Sequence, residues 1–253
     1  MSVELRKNKI KHKLQAGNIA TVLQGFMTSD LVDFVGPLGF DGVWLEAEHG
    51  PVDFREIPDV TRACDLWGMT SIVRVNLNMH GVIYRTLDQG AQGIVMPHVN
   101  TADEAKSVVD GAKFYPLGTR GSFTSRQGFG VDDYHQKANS ETLLVVLIED
   151  IVAVNNLSEI LEVDDIDVFF VAPGDLAQTM GHLGGPTHPD VVQTVDLALK
   201  KIVDSGRTAG TLVNDSNFEA YIDKGVRFVM TGWQQWVLAG SGVYLDKISK
   251  ISL

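Results

Sequence analysis

The side chains able to do chemistry together follow a few apolar runs. Glu46, Glu48 and His49 close the run Gly42-Val43-Trp44-Leu45, and Gly50-Pro51 then stops it. Arg74 lies inside Ile72-Val73-Arg74-Val75-Asn76. Glu149 and Asp150 follow Leu144-Val145-Val146-Leu147-Ile148, and Asp175 ends Phe169-Phe170-Val171-Ala172-Pro173-Gly174-Asp175. Carboxylates with no cysteine or histidine pair beside them suit a hard divalent ion, Mg2+ or Mn2+, with water filling the remaining positions. A histidine works as general acid or base near neutral pH. An arginine in an apolar strand must find an acid, an anionic substrate or both, because burying it unpaired is costly.

Each group also has a plainer reading. Acids after strands often cap the next helix, Arg74 could simply pair with Glu46 or Glu48, and a lone histidine is usually structural. The other histidines (His12, His80, His98, His135, His182, His188) lack comparable settings. Of these, His98 closes a strand and could line a pocket. Cys64, the only cysteine, reads as a small apolar residue on a helix; a single cysteine allows no intrachain disulfide and suits a reducing compartment.

Positioning these groups falls to eight apolar, β-branched runs, at residues 19–26, 41–45, 71–75, 92–99, 143–148, 167–171, 208–213 and 227–231. Helical patterns separate most of them, at 57–67, 81–89, 102–112, 156–161, 190–205 and 217–224, after a basic helix expected over 4–16. Nearly continuous hydrophobicity marks parallel strands covered by helices. Eight such units in 253 residues predict a single (β/α)8 TIM barrel spanning 1–253. No Gly-x-Gly-x-x-Gly follows the first strand, so a dinucleotide fold has little support. In a barrel the active site forms at the carboxyl ends of the strands, where all the groups above fall. Period-two alternation places Val145, Leu147 and Glu149 on one face of strand five. It places Phe169, Val171, Pro173 and Asp175 on one face of strand six, if that segment stays extended. The interval 113–142 breaks the rhythm and predicts a long lid, binding or interface loop.

Composition narrows the partners. A net charge of −11 argues against nucleic acid or an anionic membrane surface. Hydrophobic residues at 44% and charged residues at 21% describe an ordinary globular chain. No apolar run is long enough for a membrane helix, and no apolar segment follows the basic start as in a secretory signal. A cytoplasmic location is expected.

The motifs Glu46-Ala47-Glu48-His49-Gly50, Leu87-Asp88-Gln89-Gly90-Ala91-Gln92-Gly93, Val95-Met96-Pro97, Tyr115-Pro116-Leu117-Gly118-Thr119-Arg120-Gly121, Ile148-Glu149 and Pro173-Gly174-Asp175-Leu176 occur in that order. Together they resemble the HpcH/HpaI family of metal-dependent, class II pyruvate aldolases, over nearly the whole chain. The resemblance implies a (β/α)8 barrel assembled as a homohexamer, a trimer of dimers, with the C-terminal helix exchanged between subunits. It implies reversible retro-aldol cleavage of a 4-hydroxy-2-oxoacid to pyruvate and an aldehyde, through an enolate held on a divalent ion. Glu149 and Asp175 match its metal ligands, for Mg2+ or Mn2+ first and Co2+ or Zn2+ as alternatives. Backbone amides of Gly174 and Asp175 match its carboxylate-binding groups. Arg74 matches the residue that stabilises the enolate oxygen, His49 the catalytic histidine and Glu46 the acid that supports it. Asp88 matches an acid that reaches a neighbouring subunit's site, and Leu212 an apolar pocket residue. Arg120 could meet an anionic acceptor or pair across an interface.

Three departures bear on the pocket. Leu147 stands where many members carry glutamine, Asn76 where a proline is common, and Thr231-Gly232-Trp233-Gln234-Gln235-Trp236 is bulkier than the usual small-residue run. Glu46 stands where many members carry aspartate. Two other functions compete: a lyase of a CoA thioester of the malyl-CoA or citryl type, and a barrel that holds an oxoacid without turning it over. The first would need a basic nucleotide-binding surface, which the acidic balance does not favour. Against the second stands the joint presence of the acid–histidine pair, Arg74 and both ligand acids.

Overall fold

The structure is a computed structural model that describes residues 3–251. Eight strands pair in parallel in sequence order: β1 (Ala20–Gln24), β2 (Gly42–Glu46), β3 (Thr70–Arg74), β4 (Gly93–Met96), β5 (Leu143–Ile148), β6 (Val168–Val171), β7 (Ala209–Leu212) and β8 (Phe228–Gly232). β1 also pairs with β8, so the sheet closes into a barrel with helices around it. The expected (β/α)8 architecture is therefore the observed one. No helix of the described residues is long and apolar enough to cross a membrane.

Alternation along the strands builds two cores. Val22, Trp44, Ile72, Val95, Val145, Leu147, Phe170, Phe228 and Met230 fill the barrel interior. Leu23, Val43, Leu45, Val73, Ile94, Val146, Phe169 and Val171 face outward to the helices. Two residues further along the inner face come Gln24, Glu46, Arg74 and Glu149, at the carboxyl end. β2 and β3 pair in a register that sets Glu46 opposite Arg74. The same pattern that packs the barrel thus delivers the polar groups to its mouth.

The amino end is closed by helix Lys9–Gln15, whose Ile10 joins the interior cluster. The helix starts later than expected because Asn8 caps it, its side chain accepting from the Lys11 N–H, while Asn8 is fully buried against the Gln92 and Glu141 carbonyls. The interval 113–142 is not all loop: helix Tyr134–Glu141 occupies its end, with Tyr134 and Ala138 packed on Phe114. β4 stops at Met96, where Pro97 brings no N–H and His98 takes a left-handed φ of 53°. Cys64 is fully buried, and burial pushes its thiol pKa up, so it packs as an apolar residue rather than acting as a nucleophile.

Lys113 is 1% exposed beneath the barrel, its Nζ donating to the carbonyls of Asn139 at 2.8 Å and Thr142 at 2.7 Å. Burial, reinforced by the charge of Lys11, pushes its pKa down to about 7. Between about pH 7 and the ordinary lysine range the unfolded chain holds a proton here that the folded chain lacks. Raising pH across that window therefore stabilises the fold, and below it the cost of the buried charge is felt in full. The wild-type melting temperature should climb from pH 7 to pH 9 more steeply than that of Lys113→Met. Parallel pH profiles for the two proteins would remove Lys113 as the cause.

Candidate active site

Glu46 ends β2 at 7% exposure and organises its surroundings with both oxygens. Oε1 accepts from the backbone N–H of Glu48 at 2.9 Å and of His49 at 3.1 Å, which turns the chain off the strand. Oε2 accepts from Arg74 Nε at 2.8 Å and lies 2.7 Å from Nη2. Glu48 Oε2 holds the third nitrogen, Nη1, at 3.0 Å. Of these contacts only the one from Nε has hydrogen-bond geometry, so the N–H groups on Nη1 and Nη2, though within ion-pair distance of the two acids, remain able to serve another partner. Arg74 is ion-paired with both acids, as the plainer reading expects, and it also lines the cavity.

The predicted support of His49 by Glu46 takes an unexpected form. Glu46 holds the backbone of His49, not its ring. The nearest acid to the imidazole is Glu48, whose Oε2 lies 3.7 Å from Nε2, and the His49 side chain is 66% exposed at the rim.

Arg74 and Glu46 line a cavity of about 200 Å³ with Gln24, Trp44, Leu147, Phe170, Gly174, Asp175, Leu212 and Met230. Asp175 arrives there by a different route from the one alternation suggests. Phe169 and Val171 face the outer helices, so an extended strand would have carried Asp175 out of the barrel. Instead β6 ends at Val171 and Pro173 opens the helix Pro173–Thr179, whose first turn brings Gly174 and Asp175 to the mouth. The first backbone N–H groups of a helix have no partner within it, so those of Gly174 and Asp175 are available to an anion.

Glu149 follows β5 on the inner face, 1% exposed. Its Oε1 accepts from the His98 backbone N–H at 2.8 Å, while Oε2 is buried with no hydrogen-bond partner. Burial, with the negative charges of Asp175 and Glu48 adding to it against the pull of His98, raises its pKa to about 7. A buried, half-satisfied carboxylate among other acids is a position that a cation would stabilise. The oxygen donors of Glu149 and Asp175 fit a hard divalent ion on this ground.

His98 belongs to this cluster more fully than its sequence setting suggests. Its Nδ1 lies 3.0 Å from Asp150 Oδ2 and its Nε2 3.7 Å from Glu48 Oε1. Burial pulls its pKa down, but the Asp150 hydrogen bond and the charges of Glu149, Asp150 and Glu48 outweigh that and hold it above the ordinary value. The available signal was a histidine closing a barrel strand at its carboxyl end.

Two residues lie elsewhere. Asp88 ends helix His80–Asp88, on the side where β4 begins, and its Oδ1 accepts from Arg120 Nη2 at 2.7 Å. The Arg120 side chain is 2% exposed and sits over the Phe114 ring. Neither lines the cavity of its own barrel, so an acceptor role for Arg120 there is not supported. The bulky segment after β8 also turns away. Trp233 packs on Gly25, where an added Cβ would lie 2.2 Å from the indole nitrogen, and Trp236 packs on Phe40. The cavity's dimensions come instead from Trp44, Leu147, Phe170 and Met230.

The barrel mouth thus brings together an arginine, histidines and several acids, a set able to transfer protons and stabilise negative charge. The profile of the HpcH/HpaI aldolase/citrate lyase family matches residues 26–239. A hydroxypyruvate/pyruvate aldolase of Roseobacter denitrificans is 36% identical, covering 83% of this chain and 84% of its own length. A 4-hydroxy-2-oxo-heptane-1,7-dioate aldolase of Escherichia coli is 32% identical, covering 92% of this chain and 91% of its own. The crystal structure of an HpcH/HpaI aldolase/citrate lyase family protein from Burkholderia cenocepacia superposes with a TM-score of 0.90 at 26% identity, covering 96% of this chain and 100% of that one. The chain belongs to the HpcH/HpaI aldolase/citrate lyase family.

Removing Glu46 strips Arg74 of the oxygen that meets both Nε and Nη2 and leaves two backbone N–H groups unpaired. Glu46→Ala should lower stability by about 3 kcal/mol, toward the low end for a broken buried ion pair because Glu48 remains. Glu48→Ala should cost less, and chemical denaturation of both variants decides the order.

Proposed function

We propose that this chain is a class II pyruvate aldolase, cleaving a 4-hydroxy-2-oxoacid to pyruvate and an aldehyde and running the reverse addition. One observation carries the reading. The guanidinium of Arg74 and the helix start at Gly174–Asp175 line one small cavity, and Glu149, with its unsatisfied buried oxygen, lies two residues beyond the cavity's Leu147 on the same strand. Relatives named as pyruvate and hydroxypyruvate aldolases support it.

Cleavage breaks the C3–C4 bond, and its electrons pass to the C2 carbonyl oxygen to give an enolate. Arg74, held by Glu46 and Glu48 before substrate arrives, offers the N–H groups of Nη1 and Nη2 to that oxygen without reorganising, which is where electrostatic stabilisation counts most. Backbone N–H groups of Gly174 and Asp175 receive the substrate carboxylate and fix the ketone toward Arg74. His49, directly or through a water, takes the C4 hydroxyl proton as the aldehyde forms, and protonation of C3 then yields pyruvate. Glu149 and Asp175 would hold the divalent ion, Mg2+ or Mn2+ first, with Co2+ or Zn2+ as alternatives. When bound, such an ion supplies Lewis-acid stabilisation to the ketone oxygen. Apolar walls from Leu147, Phe170, Leu212 and Met230 keep bulk water from the enolate.

The working unit is proposed to be a homohexamer, a trimer of dimers, with the last helix exchanged between subunits in a cytoplasmic enzyme. Helix Gln234–Ser249 supports this: it buries none of its residues and exposes Val237, Leu238, Val243, Tyr244, Leu245 and Ile248. Asp88 would reach a neighbour's site through such an assembly. Leu238→Asp with Leu245→Asp should then yield a smaller particle by light scattering; an unchanged mass would rule the helix out as the contact.

Deuterium exchange into the methyl group of pyruvate, with and without Mn2+, tests the chemistry. Ion-dependent exchange is expected, and no exchange with any of several divalent ions would refute the aldolase reading. Glu149→Ala and Asp175→Ala should each abolish ion-dependent turnover. His49→Ala should slow retro-aldol cleavage more than exchange, because exchange involves no C4 hydroxyl. Equal losses in both would take the hydroxyl proton away from His49.

A further inference from the structure

We propose that Gln24 is a specificity-determining residue of the barrel mouth, its side-chain amide taking an uncharged hydroxyl on the substrate's carbon chain. The proposal rests on the aldolase reading and names the class of compound that the site prefers.

Strand order places Gln24 in the cavity. In a ring of eight strands closed in sequence order, β1 stands between β8 and β2 and opposite β5. Glu46 and Arg74 end β2 and β3, His98 follows β4, Glu149 follows β5, and Asp175 follows β6. The charged groups thus take up the arc from β2 round to β6. What remains of the cavity wall comes from β7, β8 and β1, as Leu212, Met230 and Gln24. A substrate with its carboxylate at Gly174–Asp175 and its ketone oxygen at Arg74 has that wall left for its remaining carbons.

On this wall Gln24 is the one residue whose side chain offers hydrogen bonds. It ends β1 on the inner face, two residues beyond the fully buried Val22, in register with Trp44 of β2 and Gly232 of β8. Its backbone carbonyl already accepts from the Trp233 N–H at 3.3 Å. The half-buried side-chain amide has no hydrogen-bond partner among the described residues. Its Oε1 lies beside Gly232, 3.6 Å from where a Cβ of that residue would stand. A leucine would pack as well against the apolar floor of Trp44 and Met230, so packing does not account for an amide here. A partner that arrives with the substrate does.

The chemistry of the wall selects that partner. An amide presents a donor and an acceptor without charge, which matches a hydroxyl, itself both donor and acceptor. Leu212 and Met230 add no charge. Arg74, the only cation lining the cavity among the described residues, already faces Glu46 and Glu48. A second carboxylate on the carbon chain would meet Gln24 with no cation beside it.

The hydroxyl can belong to the acceptor aldehyde or to the oxoacid carbon that forms the new bond, and two matched pairs of compounds tell these apart. Wild type and Gln24→Leu are compared, with Mn2+, in the addition of pyruvate to glycolaldehyde against acetaldehyde. They are compared again in proton exchange at C3 of hydroxypyruvate against pyruvate. Gln24→Leu should lower the kcat/KM ratio of hydroxylated to plain compound about 3- to 10-fold in at least one pair, the worth of one hydrogen bond. The pair that moves shows which carbon carries the hydroxyl. Gln24→Met, similar in length but without the amide, should give the same shift and serves if the leucine variant does not fold. Ratios unchanged in both pairs would overturn the role of Gln24 and leave the aldolase reading in place. Wild type that neither exchanges nor adds any of these compounds would refute that reading and this one together.

Discussion

The buried carboxylate of Glu46 is the constraint on which the mouth of the barrel depends. It is nearly out of solvent, so both oxygens must be satisfied by protein. One oxygen gathers the N–H groups that turn the chain after β2, and the other fixes the guanidinium of Arg74 across the β2–β3 register. Either contact alone would be ordinary. Joined in one carboxylate, they tie the backbone at His49 to the guanidinium of Arg74, so the two cannot drift independently.

On the opposite rim the balance is reversed. Glu149 receives one N–H from His98 and nothing on its other oxygen, while Asp175 and Glu48 add negative charge nearby. The structure stores there an electrostatic deficit that a cation would relieve. Left-handed backbone at His98, outside the favoured regions for a side chain of that size, aims its N–H at Glu149 and its ring at Asp150. Strain of this kind persists where surrounding contacts over-determine it. The two rims therefore differ: on one the acids are paired with Arg74, on the other the buried Glu149 Oε2 has no hydrogen-bond partner.

Packing explains why such a site can be built from short strands. The interior core of Trp44, Leu147, Phe170 and Met230 ends just below the mouth, and its top layer is also the floor of the cavity. A change in any of these side chains alters both core and pocket. Leu147 makes that floor apolar. The heavy segment from Trp233 to Trp236 spends its bulk on Gly25 and Phe40 instead.

Much of this was legible in the chain itself. Eight apolar runs determined the barrel, because parallel strands covered on one side and packed inside on the other must be apolar almost throughout. Alternation placed Glu149 on the inner face of its strand, two residues beyond Leu147, and in the fold Glu46 and Arg74 continue inner faces in the same way. The same rule misled at Asp175, whose expected strand face points outward and which reaches the mouth only because Pro173 starts a helix. Within one barrel Asp88 and Arg120 meet one another, a pairing across 32 positions that no local pattern reveals. His98 was undervalued because its importance lies in a backbone angle and in acids from neighbouring strands. Sequence period, a local property, fixed which residues face inward; the partners of each charge depend on register, turns and closure, and only the folded chain brings those together.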